Sequence, residues 1–245
     1  MRGNNCAMEK ESIFLTTEES LEAIRIDFRQ YEPQILLFCS ILGLISQNTI
    51  RFKHETGRQG LWISQEGRPN MRWLAGCELI DFMCTTIDRT QWNTELLTAV
   101  CSRVFQSRAR AAVDPNSGRP GLAIETQMES FNCRQCGRCC RVLDYQYEVT
   151  ANDVRRWEAS GRADILAWVE KISRDDAKPA YRIWVEPHTR QRTETCPFLK
   201  RDSASNRWEC RIHADKPAIC RNYPVSLKHA VMTGCPGFRK DRRSR

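Results

Sequence analysis

Four cysteines lie within eight residues near the middle of the chain. They are Cys133, Cys136, Cys139 and Cys140, at the spacing C-x2-C-x2-C-C. A gap of two residues lets a loop turn two sulfur atoms toward one point, as metal–thiolate sites require. Gly137 lies inside this run and adopts positive φ without steric cost, so the loop is able to bend back on itself. The spacing therefore predicts a metal site rather than a set of buried free thiols.

Four more cysteines follow at wider spacing, namely Cys196, Cys210, Cys220 and Cys235. The first three cysteines of the dense run repeat the C-x2-C-x2-C pattern that gives three ligands to a 4Fe–4S cluster in bacterial ferredoxins, where the remote ligand precedes a proline. Cys196 and Cys235 both precede a proline. Eight thiolates also suffice for two four-ligand sites. Because adjacent side chains point in different directions, we expect Cys139 and Cys140 to face separate centres. The predicted cofactor is one or two 4Fe–4S clusters.

Zinc is the alternative metal. Structural zinc takes four thiolates, usually from two separated C-x2-C pairs. Here the first group is a triple followed by a fourth cysteine, and the later cysteines come singly, which favours iron–sulfur. His213, three residues after Cys210, is a further candidate ligand for either metal, although a surface or packing role is the simpler interpretation of a single histidine.

The cysteine half as a whole carries a specific combined pattern. It reads F-x-C-x-x-C-G-x-C-C, then C-P-F-L, then C-x-I-x-x-x-x-P-x-x-C-R-x-Y-P, then a late C-P-G, over residues 131–238. This pattern resembles the YkgJ-type cysteine-cluster family, described as a zinc- or iron-chelating CxxCxxCC domain that includes flagellin lysine N-methylases. His213 and Lys216 depart from residues common in that family. The resemblance implies that the metal ligands are Cys133, Cys136, Cys139, Cys140, Cys196, Cys210, Cys220 and Cys235.

Hydrophobic periodicity predicts an α+β chain whose residues 1–112 form a mostly helical domain of unknown role. Thr16 or Thr17 is placed to cap a first helix, and a second is expected from residue 34 to about residue 48. Further helices are expected over residues 73–87 and 94–105, and one strand over 61–63. Four cysteines within these apolar stretches match no metal spacing and are interpreted as small buried hydrophobic residues: Cys39, Cys77, Cys84 and Cys101.

A dense cluster of turn residues at 114–121 predicts the boundary between two domains. We therefore assign residues 113–130 to a linker, 131–238 to a small irregular Cys-rich domain organised by metal, and 239–245 to a disordered basic tail. Within the Cys-rich domain, helices are expected from a cap at Thr150 or Asn152 to about residue 161, over 163–172 and after Pro217. Alternation predicts short strands over 181–185 and 208–212.

The net charge of +8 is unevenly distributed. Residues 1–130 carry 14 Lys and Arg against 16 Asp and Glu, whereas residues 131–245 carry 24 against 14. A basic half favours nucleic acid or an acidic partner. Alternatively, the excess offsets the negative charge of eight metal-bound thiolates, which makes nucleic acid the weaker interpretation.

The N-terminal residues show no signal-peptide pattern, and the longest apolar run, residues 35–45, is shorter than the about 20 residues that a membrane span needs. Unpaired thiols together with metal motifs fit a reducing compartment, and an odd number of cysteines, thirteen, argues against a pure disulfide framework, so we expect a cytoplasmic protein without membrane contact. The predicted function is an iron–sulfur enzyme or maturation factor that modifies a protein or peptide, with methylase-like or redox chemistry. The alternative is a non-catalytic interaction module stabilised by zinc or iron.

Overall fold

The structure is a computed structural model that describes residues 12–46, 49–65, 70–173, 179–203 and 207–238. Its chain divides into two compact units, residues 1–129 and 130–245. The described residues form both α-helices and small antiparallel sheets, as expected of an α+β chain. Among these residues, no helix combines the length and apolar character that a membrane crossing requires.

The N-terminal unit contains four helices and six strands within its described residues. The helices are α1 (Thr17–Gln30), α2 (Ile35–Ile45), α3 (Gly76–Arg89) and α4 (Thr94–Val104). The strands are β1 (Ser12–Thr16), β2 (Ile50–Lys53), β3 (Gly60–Gln65), β4 (Arg72–Ala75), β5 (Ala109–Val113) and β6 (Pro120–Glu125). They form two antiparallel sheets, in the orders β1-β6-β5 and β2-β3-β4. The single β element predicted for this unit, residues 61–63, is thus part of a larger sheet system.

Local capping explains where the predicted helices begin. Thr16 accepts a hydrogen bond from the backbone N–H of Glu19, whose carboxylate accepts from the N–H of Thr16, which completes a capping box at α1. The Asn93 side chain accepts from the N–H of Leu96 at the start of α4. The apolar faces of α1 to α4 pack on the sheets around a core that includes Phe28, Phe38 and Met83. This unit therefore buries its own hydrophobic core.

The expected linker differs from what the structure shows. Residues 114–119 connect β5 and β6 as the turn of a hairpin, with the N–H of Asp114 bonded to the carbonyl of Arg119. Strand β6 pairs with both β5 and β1 and lies at the centre of its sheet. The composition of residues 114–121 predicts a domain boundary as readily as a hairpin turn, because turns and linkers are rich in the same residues. The division of the chain falls later, after residue 129.

The C-terminal unit is built from shorter pieces. Its helices are α5 (Arg138–Val142), α6 (Ala151–Ala159), α7 (Ala163–Leu166), α8 (Ala218–Arg221) and α9 (Leu227–Met232). Its strands are β7 (Val169–Lys171), β8 (Tyr181–Ile183), β9 (Leu199–Arg201) and β10 (Trp208–Cys210), which pair as β7-β8 and β9-β10. A small core gathers around Trp157, Ile165 and Ile183.

One expected helix in this unit is shorter than predicted. The segment 163–172 is helical only to Leu166. Residues Val169–Lys171 form strand β7, which pairs with Tyr181–Ile183. Pairing with a distant strand outweighs the helical spacing of its apolar residues. The basic tail 239–245 lies outside the described residues, so its predicted disorder stays a prediction.

Candidate metal centre

The eight cysteines of the C-terminal unit all line one cavity of about 460 Å³. They arrive from separate places in the chain: two in the loop before α5, two in the first turn of α5, one before β9, one at the end of β10, one in α8 and one before the 3₁₀ turn Pro236–Phe238. In that order they are Cys133 and Cys136, Cys139 and Cys140, Cys196, Cys210, Cys220 and Cys235. The fold thus brings distant cysteines to one place.

Gly137 sets the conformation of the dense cysteine run. It precedes α5 with φ 67°, in the left-handed region that glycine adopts without cost. A Cβ atom on this residue would lie 2.7 Å from the indole ring of Trp208, closer than real Cβ contacts. Glycine is therefore required both for the reversal of the chain and for its close approach to β10.

Backbone hydrogen bonds hold the cysteine loop, residues 132–137 before α5, on both sides. The N–H of Trp208 donates to the carbonyl of Gln135 at 2.8 Å, which fixes β10 beside the loop. On the other side, the N–H of Asn132 donates to the carbonyl of Gly237 at 3.0 Å, and the rings of Phe131 and Phe238 lie 5.3 Å apart. These contacts place the loop between the segments that carry Cys210 and Cys235.

The Arg141 guanidinium packs over the ring of Trp208, with its carbon 4.9 Å from the ring centroid. Arg138 donates from Nε to the carbonyl of Thr233 at 2.9 Å. Two arginines of α5 thus secure the helix against the same two neighbouring segments. Arg141 provides a cation–π contact and Arg138 a hydrogen bond.

Asp153 connects α6 to the segment that carries Cys220. Its side chain is 1% exposed, and its Oδ1 accepts from the N–H of Ala218, the first residue of α8, at 2.9 Å. The same carboxylate accepts from the N–H and hydroxyl of Thr150 in a capping box and from Arg156. The indole N–H of Trp157 donates to the carbonyl of Asp215 at 2.7 Å. Helix α6 is therefore the support that positions Cys220.

Burial alone would raise the pKa of Asp153, but hydrogen bonds from Thr150, Arg156 and Ala218 outweigh burial and hold the pKa below its ordinary value. The carboxylate is thus charged at neutral pH, and its oxygens accept the hydrogen bonds that join the first turn of α6 to α8. The sequence signal for it is partial: Thr150 is one of two predicted caps, with Asn152, but the link from Asp153 to Ala218 spans 65 residues and leaves no local pattern.

Cys139 and Cys140 do not face apart. Their sulfur atoms lie 3.9 Å from each other, and the N–H of Cys196 donates to the carbonyl of Cys140 at 3.0 Å. Both cysteines lie in the first turn of α5, where successive side chains are rotated by roughly 100° rather than alternating between two faces. The expectation of opposite directions, which suits a strand, therefore does not hold for this helix.

Three thiols of the cavity have a pKa that their surroundings raise, which favours their protonated form. The hydrogen bond with Cys140, followed by burial, raises the pKa of Cys139 far above the thiol range. The contact with Cys139 lowers the pKa of Cys140, but the contact with Cys196 and burial outweigh it and raise this pKa to about 12. Burial, with a contribution from Cys139, likewise raises the pKa of Cys220 to about 12. A metal ion would reverse this state, since it binds thiolates and releases their protons.

Within the described residues, no group of three or more His, Cys, Asp or Glu side chains is arranged to hold a metal ion as it stands. The donor chemistry nevertheless fits zinc or iron, because these metals take cysteine thiolates and eight of them share the cavity. None of the twelve cysteines among the described residues forms a disulfide. The structure therefore shows the donors gathered around a cavity, with rotation of side chains still needed to form a coordination shell.

The structure brings all eight predicted ligands to the cavity, and their role as ligands stays a prediction. His213 is exposed and lines the same cavity. In the N-terminal unit, Cys84 and Cys101 are buried, as interpreted, and Cys39 is half-buried. Cys77 is exposed, so the interpretation as a buried residue is wrong for this position, because it lies in the first turn of α3 outside the apolar face.

Two tryptophans of the cavity were not singled out from the sequence as site residues. Trp184 and Trp208 line it together with the cysteines, Tyr223 and Lys216. The hydroxyl of Tyr223 lies 2.6 Å from the hydroxyl of Thr233. Among the described residues that line the cavity, none is Asp or Glu, so its charged side chains are all basic or thiol. A basic lining offsets the charge of bound thiolates, and the tryptophans give the cavity an apolar wall.

Comparison with known proteins supports the metal assignment. Residues 132–237 match the model of the CxxCxxCC family, which carries the description "Putative zinc- or iron-chelating domain". No curated protein and no solved structure matches the chain. The matched residues cover the cysteine-lined cavity. Over residues 132–237 the C-terminal unit of this chain is thus similar to the domain that this family model describes.

Proposed function

We propose that this chain is an iron–sulfur protein that holds one or two 4Fe–4S centres in its C-terminal unit. The observation that supports this most strongly is that eight cysteines line one cavity of about 460 Å³. A single water-sized guest occupies about 30 Å³ of liquid volume, so the cavity has room for a cluster of several atoms. The triple C-x2-C-x2-C spacing favours iron–sulfur over zinc for at least one of the centres.

The proposed activity is that of an enzyme or maturation factor that acts on a protein or peptide. The resemblance to a family with lysine N-methylases supports this substrate class. The cavity supports it chemically, because aromatic side chains and basic groups, with no carboxylate among its described lining residues, suit an extended substrate that carries negative groups. We further propose a cytoplasmic location, where reduced thiols persist.

A second candidate function is a non-catalytic module in which zinc or iron stabilises the fold. The small size of the C-terminal core favours it. That core contains seven buried residues among the described ones, against 21 in the N-terminal unit. Structural metal contributes on the order of 10 kcal/mol to folding in small domains, which would compensate for so small a core.

Binding of nucleic acid is less well supported. Six arginines of the C-terminal unit form ion pairs with carboxylates of the same unit, so these basic groups are engaged within the unit: Arg156, Arg162, Arg182, Arg190, Arg192 and Arg221. A nucleic-acid surface instead presents its basic groups to phosphates. We assign the basic charge to the cavity and to the unit's own ion pairs.

The test is electron paramagnetic resonance of protein purified without oxygen, before and after reduction with dithionite. We expect a signal of a reduced 4Fe–4S cluster that depends on the cysteine loop and is lost in Cys136→Ser. Cys77→Ser is the matched control, since Cys77 is exposed in the N-terminal unit and should leave the signal unchanged. A protein that carries only zinc and gives no signal would contradict the iron–sulfur proposal and leave the structural module.

A further inference from the structure

The eight cysteines do not share their surroundings equally. A second cavity, of about 30 Å³, is lined by four of them: Cys139, Cys140, Cys196 and Cys220. The other four line the large cavity but not the small one: Cys133, Cys136, Cys210 and Cys235. A cavity needs about 10–15 Å³ to hold one water molecule, so 30 Å³ has room for a guest of one to a few atoms. The small cavity is therefore sized for a single ion and not for a four-iron cluster.

The inner four cysteines, which line the small cavity, are held close together. The sulfur atoms of Cys139 and Cys140 are 3.9 Å apart, and the backbone N–H of Cys196 donates a hydrogen bond to the carbonyl of Cys140. In a tetrahedral site with metal–sulfur bonds of about 2.3 Å, two sulfur ligands lie about 3.8 Å apart. The observed separation thus matches one edge of a tetrahedral thiolate site.

A buried polar atom at the small cavity points to the same conclusion. Tyr145 lines this cavity, and its hydroxyl is buried without a hydrogen-bond partner among the described residues. Buried hydroxyls are nearly always hydrogen-bonded. A metal-bound thiolate would accept a hydrogen bond from the Tyr145 hydroxyl and satisfy it, as groups around a metal site commonly do.

The outer four cysteines, which line only the large cavity, are gathered by other contacts. Hydrogen bonds from Asn132 to Gly237 and from Trp208 to Gln135 hold the loop with Cys133 and Cys136 beside the segments of Cys235 and Cys210. Cys133 is exposed and is the member of the outer set that opens to solvent, whereas the other seven cysteines of the large cavity are half-buried. Cys210 also neighbours Cys220, so it lies at the border of the two sets.

We propose that the C-terminal unit holds two unequal centres. Cys139, Cys140, Cys196 and Cys220 enclose a single zinc or iron ion, and Cys133, Cys136, Cys210 and Cys235 hold the larger, solvent-accessible centre. This assignment rests on the proposed metal binding but not on iron–sulfur chemistry. The C-x2-C-x2-C spacing predicts that Cys139 shares a centre with Cys133 and Cys136, whereas this assignment places Cys139 at the inner ion. The outer centre is then the one that a substrate is able to contact.

The test on the unmodified protein is stepwise removal of metal. Full-length protein prepared without oxygen is treated with increasing EDTA, the released metals are counted by mass spectrometry, and freed thiols are alkylated with iodoacetamide and mapped by peptide. We expect two steps of release, with Cys133, Cys136 and Cys235 alkylated in the first step and Cys140, Cys196 and Cys220 only in the second. Uniform alkylation of all eight in one step would overturn the assignment.

Paired variants test the same assignment by a second route. Cys140→Ser and Cys196→Ser should each lose the single ion but keep the metal and any sulfide of the outer centre. The double variant should have the same metal content as either single variant. Combining Cys140→Ser with Cys235→Ser should remove both centres. If Cys139→Ser instead loses the same metal as Cys136→Ser, the assignment is wrong. A protein that holds two zinc ions and no sulfide would contradict the iron–sulfur proposal. If its cysteine variants still lost metal in the pattern described above, the division into inner and outer cysteines would be supported.

Discussion

Single residues control the cysteine loop, and Gly137 is the most sensitive of them. Its left-handed conformation and its contact with Trp208 are separate constraints. Gly161 is a natural comparison, because its φ of 68° is nearly the same but a Cβ there would meet nothing within 4 Å. The pair therefore separates the cost of conformation from the cost of a clash.

We predict that Gly161→Ala lowers the free energy of unfolding by about 1 kcal/mol, the usual cost of placing a side chain in the left-handed region. Gly137→Ala should cost more than Gly161→Ala and also reduce the metal bound per chain, because Trp208 or the loop must move. Urea denaturation together with metal analysis measures both effects. Equal losses of stability with full metal content in both variants would contradict this role of Gly137.

At this scale the sequence was informative about the donors and not about their grouping. Cysteine spacing identifies Cys133, Cys136, Cys139 and Cys140 without any knowledge of the fold. Which thiols come together depends on α5, a helix of five residues that turns Cys139 and Cys140 toward the same small cavity. A helix this short leaves too few residues for a periodic pattern.

Among the elements, α6 has the clearest task, since its first turn anchors the helix that carries Cys220. Asp153 makes this link through Ala218 while it caps its own helix with Thr150. Replacement by asparagine would remove the charge and leave buried donors of Thr150, Arg156 and Ala218 with a weaker acceptor. Hydrogen bonds to a buried charged group contribute about 1.5–3 kcal/mol each.

We predict that Asp153→Asn lowers the free energy of unfolding by about 2–3 kcal/mol at pH 7. The pKa of Asp153 is held below its ordinary value in the folded protein, so its stabilisation is complete above the unfolded pKa and is lost as pH falls through the folded pKa. The wild type and the variant should therefore converge in stability as pH falls below about 4. Thermal unfolding of both proteins, measured from pH 7 down to the lowest pH at which they fold, shows whether their stabilities converge.

Asp164→Asn is the matched control for this prediction. Asp164 pairs with Arg162 at a site where its side chain is 55% exposed, and exposed ion pairs contribute little. Its replacement should change stability far less than that of Asp153. A difference in stability between Asp153→Asn and wild type that stays constant as pH falls through the folded pKa of Asp153 would show that the charge of Asp153 is not what links α6 to α8.

Local signals predicted the elements whose causes are local. The cap at Thr16, one of two candidates with Thr17, and the strands that begin at Tyr181 and Trp208 follow from residues within a few positions of each other. The sheet that joins Ser12–Thr16 to Pro120–Glu125 could not be read in this way, because its partners are more than 100 residues apart. Hence the N-terminal unit was expected to be more helical than it is.

For the whole molecule, the contrast between the two units has a consequence for stability. The N-terminal unit has a core of 21 buried residues among those described, and the C-terminal unit has seven. The C-terminal unit also carries the basic excess, whose self-repulsion opposes compaction when thiols are neutral. Metal bound to cysteines of separated segments would compensate by closing the loops between them.

We predict that chelation unfolds the C-terminal unit and leaves the N-terminal unit folded. Limited proteolysis of the metal-free protein should yield an N-terminal fragment that retains β6 and ends near residue 129, where the contacts divide the chain. Mass spectrometry of the fragments locates the cut. A stable fragment that ends within the hairpin turn 114–119, or full resistance of the stripped protein, would show that the units do not depend on metal in this way.

The central claim is that the cysteine cavity of the C-terminal unit holds iron and sulfide. The most direct measurement is the content of iron, zinc and acid-labile sulfide per chain in protein prepared without oxygen, with Cys136→Ser and Cys77→Ser measured in parallel. We expect iron and sulfide in the wild type and in Cys77→Ser, and loss of sulfide in Cys136→Ser. Zinc without iron or sulfide in all three proteins would contradict it.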